Sequence, residues 1–266
     1  MLFLAILYFI LGVCVGSFAN VLIYRLPIIE IKKTKKKNGE CVDEIESIAL
    51  PSSHCMSCGT PLKWYHNIPI FSWLALGGKC AFCKSKISSQ YPIVEFISGL
   101  LMLFAFLNES GSFEYLELFK ALMLGLLFII LLAMSLIDLR YTAAPTLLLN
   151  TSVILSLLYA FSLQGIINAS ILAGIFALIA LTVSLIKKRG VMGSADIYIF
   201  ACIGSVLGLN LGFFAIFIAA LLTLPAYFIA AKSEYELPFI PFLSLGLFIV
   251  YCFDDKWLEV LNFIYG

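Results

Sequence analysis

Apolar residues fall in eight long runs along this chain, at residues 2–24, 92–107, 117–137, 147–163, 166–186, 194–208, 210–231 and 238–253. An α-helix needs about 20 mostly apolar residues to cross the hydrocarbon of a bilayer, so the pattern predicts about eight transmembrane helices. The narrowest separations, near Gly165 and at Gly208-Leu209-Asn210, depend on short turns. One connection is long and polar and follows the first run. A last stretch, Lys256 to Tyr265, is too short to span. Its Trp257, Leu258, Leu261 and Phe263 stand among polar residues, and it is expected along the interface.

Composition agrees with the pattern. Of 266 residues 62% are hydrophobic and 12% charged, which excludes an ordinary soluble domain. The net charge of +1 selects no partner, but its distribution is informative. Fifteen of the 33 charged residues lie between Arg25 and Lys86. No Lys or Arg precedes Arg25, so the first run is expected to be a retained helix rather than a cleaved signal. Of the 17 basic residues, 15 fall in the connections 25–91, 138–146, 187–193 and 232–237; only Lys120 and Lys256 fall in the other set. The positive-inside rule then puts residues 25–91 in the cytoplasm and both termini outside. The run Lys32-Lys33-Thr34-Lys35-Lys36-Lys37 serves this topology and suits anionic head groups.

Two acids interrupt the apolar runs, in Ser135-Leu136-Ile137-Asp138-Leu139-Arg140 and in Met192-Gly193-Ser194-Ala195-Asp196-Ile197. With eight spans, Asp138 ends the third and Asp196 begins the sixth, so both lie at the cytoplasmic face. A carboxylate there either marks a helix end or does chemistry. Two on one face point to an acid–base pair.

The long connection carries Cys55-Met56-Ser57-Cys58 and, after 21 intervening residues, Cys80-Ala81-Phe82-Cys83. Two CxxC pairs at this spacing predict a four-thiolate zinc site, and a reducing cytoplasm disfavours the disulfide alternative. The segment is too short for much of a core, and a metal would organise it. Cys14, Cys202 and Cys252 lie in apolar runs and are expected to pack; Cys41 receives no role. His54 and His66 flank the first pair and read as solvated loop residues.

The chain resembles the bacterial type IV prepilin peptidases (leader peptidase/N-methyltransferases). The resemblance rests on Gly16-Ser17-Phe18-Ala19-Asn20 through Arg25-Leu26-Pro27, the cysteine tetrad, Trp64-Tyr65-His66-Asn67-Ile68-Pro69, Tyr91-Pro92-Ile93-Val94-Glu95, the two aspartates and Leu237-Pro238-Phe239-Ile240-Pro241-Phe242. There are departures. Ala195 stands where the family has a glycine beside the second aspartate, so either that position keeps ordinary dihedrals or the site is altered. Ala144-Pro145-Thr146 replaces Ile-Pro-Asp, and Ile240 stands where glycine is common.

The resemblance implies an all-α polytopic membrane protein of the bacterial inner membrane. Its expected parts are a first helix (1–27), a cytoplasmic zinc-binding domain (28–91) and a transmembrane aspartic peptidase (92–266). Asp138 and Asp196 are the implied catalytic residues, and Cys55, Cys58, Cys80 and Cys83 the implied ligands of a structural zinc. S-adenosylmethionine is the implied methyl donor, with Gly16, Asn20 and Glu95 as candidate contacts. The implied partners are prepilin or pseudopilin precursors and the lipid bilayer, with no nucleic acid. The competing classes are an ion- or proton-coupled transporter, which predicts midplane acids and internal repeats, and a non-enzymatic assembly subunit, which predicts dispensable aspartates.

Overall fold

The computed structural model describes residues 1–39, 47–48, 52–111, 114–187, 193–230, 237–254 and 257. Cys41, Lys188, Arg189, Lys232 and all of the expected interfacial stretch except Trp257 lie outside the described residues. Regular structure among the described residues is helical. In chain order the helices are α1 (Leu2–Lys37), a 3-10 turn (Trp64–Asn67), α2 (Phe71–Ala75), α3 (Gln90–Glu109), α4 (Tyr115–Tyr141), α5 (Thr146–Ala160), α6 (Leu163–Lys187), α7 (Ser194–Ala230) and α8 (Ile240–Cys252). Strand pairing is confined to two isolated bridges, His54 with Pro61 and Lys79 with Lys86. By length and composition, five of the described helices (α1, α3, α4, α6 and α7) can cross a membrane; α5 and α8 are apolar but shorter. The protein is therefore a multi-pass membrane protein.

The chain forms two compact units, residues 1–129 and 130–266, and the division falls within α4. In the first unit α1 packs along α3. A side chain at Gly12 or Gly16 would drive its Cβ into Ser98, and at Gly12 also into Met102. These small residues let the two backbones approach closely, as helix pairs in lipid require. The expected first span, 2–24, is shorter than the helix found. Pro27 removes the backbone bond to Ile23, yet α1 continues to Lys37 because Leu26, Pro27 and Ile29 are buried and packing holds the extra turns.

In the second unit the expected turn near Gly165 lies earlier, at Phe161-Ser162. Phe161 takes a left-handed conformation (φ 39°) that ends α5, and the Ser162 hydroxyl accepts the Gly165 N–H at the start of α6. Gly165 itself packs against Ala160. The expected separation at Gly208 is a sharp reversal inside α7. Gly208 has φ 74° and ψ −171°, a conformation open to glycine and costly for other residues. A Cβ on Gly212 would lie 3.5 Å from Ile203, nine residues earlier; a straight helix would separate such positions by about 13 Å. The second unit therefore contains two helical hairpins, α5–α6 and the two halves of α7, followed by α8. Ser205 Oγ donates to Ser156 O at 2.8 Å, and Phe176 stacks on Phe200, which fasten α5 and α6 to the first half of α7.

Candidate functional site

Three helix ends meet in the second unit. Asp138 lies one turn from the C-terminus of α4, Asp196 is the third residue of α7, and Ile240 is the first residue of α8. Both aspartates are buried, 6% and 8% exposed. Asp138 Oδ2 accepts the Ile240 N–H at 3.2 Å. The Asp196 carboxylate reaches back to the amide of Gly193, the residue before the helix, and lies within electrostatic range of Asp138. A helix N-terminus leaves several amides without intrahelical partners, and here two such ends supply donors to the two acids. The hairpins explain the convergence. The chain leaves Asp138, goes out and back through α5 and α6 to Asp196, then out and back around Gly208 to Ile240.

The family departures acquire a physical reading. Ala195 lies inside the first turn of α7 and is absent from the left-handed residues, so of the two alternatives it keeps ordinary dihedrals. Ile240 contributes its backbone N–H, a group that does not depend on the side chain. Pro145 precedes α5 and its carbonyl accepts Leu148 N–H at 3.0 Å. Arg140 is exposed in the last turn of α4.

The cysteines form the second constellation, within the first unit. Ligand sulfurs of Cys55, Cys58, Cys80 and Cys83 all lie within 4.8 Å of one another. Cys55 Sγ and Cys83 Sγ are 3.8 Å apart, and a tetrahedron with Zn–S bonds of about 2.3 Å has an edge of about 3.8 Å. The donor set therefore fits zinc. The two knuckles repeat one design. Gly59 N–H bonds Cys55 O and Cys55 N–H bonds Thr60 O; Lys84 N–H bonds Cys80 O and Cys80 N–H bonds Ser85 O. Each knuckle turns through a left-handed residue, Gly59 at φ 69° and Lys84 at φ 60°. The amides of Cys58 and Ser57 point at the Cys55 sulfur and lower that thiol to about 6; the Ser85 hydroxyl beside Cys83 lowers it too. These two thiols ionise readily, whereas burial beside the Cys55 and Cys83 sulfurs pushes Cys80 up. His66 is not in the cluster: its ring packs edge-on against Phe82 at 5.6 Å. His54 contacts Ser52 O.

Gly16, Asn20 and Glu95 meet at the crossing of α1 and α3. Asn20 Nδ2 donates to Tyr91 O at 3.1 Å, while Asn20 Oδ1 is buried without a partner, as is Ser98 Oγ. Glu95 is 6% exposed. Its Oε2 accepts the Ile70 N–H at 2.7 Å, and Ser17 also bonds the carboxylate. Ile70 carries φ 61° and ψ −55°, and Phe71 N–H bonds Pro69 O around it. This is a strained γ-turn. No sequence signal announced that turn or either carboxylate–amide bond, since backbone donors are the same at every residue. Cys202 is buried, as expected of a packing residue; Cys14 is exposed on α1 and Cys252 is half-buried.

The Bacterial Peptidase A24 N-terminal domain matches residues 10–108, and the Type IV leader peptidase family matches residues 125–228. The chain is 34% identical over 247 residues to a type 4 prepilin-like proteins leader peptide-processing enzyme of Escherichia coli O78:H11, covering 88% of each chain. It is 33% identical over 234 residues to a prepilin leader peptidase/N-methyltransferase of Vibrio cholerae serotype O1, covering 86% of this chain and 87% of the relative. A protein of the same description from Pseudomonas aeruginosa is 29% identical over 270 residues, covering 93% of this chain and 89% of the relative. No solved structure matches. The chain belongs to the type IV leader peptidase family.

Proposed function

We propose that this protein cleaves the leader peptide of prepilin or pseudopilin precursors with Asp138 and Asp196, and methylates the new N-terminal amine. The observation that carries the reading is the meeting of the two buried carboxylates at the ends of α4 and α7. Two carboxylates in one site do not both ionise cheaply, so the pair holds one proton between them. The ionised member takes a proton from water as the water oxygen bonds to the scissile carbonyl carbon. The protonated member hydrogen-bonds the developing oxyanion, and a proton passes to the leaving nitrogen as the C–N bond breaks. The bond follows a glycine in this family's substrates, where the missing side chain lets an extended backbone approach.

The proposed setting is the bacterial inner membrane, with eight crossings and the catalytic side cytoplasmic. The basic residues of the connections support this orientation, and the reversal at Gly208 supports counting α7 as two crossings. The proposed parts are the first helix (1–27), the zinc-binding domain (28–91) and the peptidase (92–266). Cys55, Cys58, Cys80 and Cys83 would hold a structural zinc, since four thiolates leave no open coordination position. S-adenosylmethionine would supply the methyl group. Asn20 offers a buried acceptor oxygen without a partner, Glu95 a buried negative charge for a cationic donor, and Gly16 the close approach of α1 to α3. The transporter reading is not favoured, because both aspartates lie at helix ends and the relatives are peptidases.

The test is incubation of the purified protein with a pilin precursor, with and without S-adenosylmethionine, followed by N-terminal mass analysis. The expected products are a shortened chain without the donor and the same chain one methyl heavier with it. An uncut precursor under both conditions refutes the proposal.

A further inference from the structure

The segment carrying the cysteines exposes apolar side chains where a soluble domain would hide them. Phe71 and Leu74, three residues apart on one face of α2, are 73% and 61% exposed. Trp64, on the neighbouring 3-10 turn, is 78% exposed. The inner side of α2 is fixed: Trp73 Nε1 donates to Ile87 O at 3.3 Å, and the Trp73 ring lies against Gly78.

The depth of this face follows from α3. That helix has 20 residues, which at 1.5 Å each makes about 30 Å, the thickness of the hydrocarbon. Its outward side is apolar from the start, with Ile93, Phe96, Ile97 and Leu100 exposed. Glu95 is the sixth residue of α3, and a helical side chain leans toward the N-terminus, so its carboxylate lies level with the first turn. Ile70 is bonded to that carboxylate at 2.7 Å. The start of α2 is therefore held at the level where α3 leaves the hydrocarbon. The charge of the segment suits the same surface. Between Glu46 and Glu95 there is no acidic residue, while Lys63, Lys79, Lys84 and Lys86 are present.

We propose that Phe71 and Leu74, with Trp64 beside them, insert into the head-group boundary of an anionic bilayer, and that the Glu95–Ile70 bond ties this anchor to α3. The start of α2 is tied to the first turn of α3, Lys63 and Lys79 flank it in sequence, and an aromatic and an aliphatic side chain at this depth match the interfacial zone. The cysteine tetrad is thereby seated on the membrane surface.

Trypsin supplies a convenient readout, since Lys63 and Lys79 bracket the peptide 64–79. The full chain is placed in phosphatidylcholine–phosphatidylglycerol vesicles containing a phosphatidylcholine whose diazirine lies near the glycerol end of the acyl chain. After illumination and digestion, peptide 64–79 of the native chain is expected to carry lipid adducts. A water-soluble diazirine is expected to label it weakly. In a Phe71→Gln/Leu74→Gln chain the lipid adduct is expected to be lost with zinc content unchanged. The proposal is overturned if native peptide 64–79 takes only the aqueous probe while peptides of α3 take lipid, or if its cross-links run to a second copy of the chain. The native-chain result decides alone should the double variant not fold. A precursor helix as occupant would appear as lipid labelling only in the absence of precursor chemistry at this face: strong lipid adducts that vanish on adding precursor would reassign the surface to substrate.

Discussion

Glu95 and Asp138 invite comparison. Each is a buried carboxylate on a long apolar helix, and each accepts a backbone N–H at the start of a shorter one, Ile70 before α2 and Ile240 in α8. Their difference is the neighbour. Asp138 has a second carboxylate, Asp196, within electrostatic range. Glu95 has Ser17 and a strained turn. Burial of an acid signals that something has been built around it; what else is present decides what was built. A carboxylate facing a carboxylate can pass protons. A carboxylate facing a hydroxyl and a distorted backbone fixes a segment in place and presents a negative charge.

The strongest way to break the comparison is at the aspartates. Asp138→Asn and Asp196→Asn each retain an oxygen for the neighbouring amide and remove the exchangeable proton. Each is expected to lower precursor cleavage by about three orders of magnitude or more, with the protein still inserted, as read on a gel at matched expression. Normal processing by either variant would reduce Asp138 to the same holding role as Glu95.

Next in size are the cysteines. Cys55→Ser or Cys80→Ser is expected to lose zinc and lower methylation severalfold or more while leaving cleavage in place, measured by metal analysis and product mass. Prolonged chelation of the native chain should do the same. A metal-free tetrad variant that folds and methylates normally would separate zinc from this activity.

Glu95 then sharpens the contrast. Glu95→Gln keeps an acceptor for Ile70 N–H and removes the charge; it should lower methylation by about tenfold, or about 1.4 kcal/mol, without faster tryptic cleavage after Lys63 and Lys79. Glu95→Ala leaves the buried amide without its acceptor, a loss of about 1–3 kcal/mol, and should also open those two sites to trypsin. Equal behaviour of the two variants would leave the carboxylate with only one duty.

The smallest effect lies within the knuckles. Lys84 adopts a conformation that glycine takes freely, whereas Gly59 already exploits it. Lys84→Gly should stabilise the zinc-loaded segment and Gly59→Ala should weaken it, each by about 1 kcal/mol, in a thermal or metal-competition assay.

Much of this was legible in the sequence. The apolar runs foreshadow the helices because lipid demands unbroken apolar stretches, although two of the eight expected runs lie within α7, and the CxxC spacing marks the tetrad because one ion needs four sulfurs at short range. Asp138 and Asp196 stood out because the two acids end apolar runs on the same expected face. The extension of α1 past Pro27 was hidden, since local propensity argues against it and tertiary packing overrides it. The turn at Phe161 was hidden because a bulky residue, not a glycine, takes the left-handed conformation. The bonds from Ile70 and Ile240 left no trace, because every residue but proline carries the same amide.

The glycine at 208 has a mechanical corollary. From it to Asp196 runs a rod of 12 residues, about 18 Å long. Tilting that rod by about 10° about the fold would displace the acid at its tip by about 3 Å. One residue without a side chain thus sets the leverage of the whole arm.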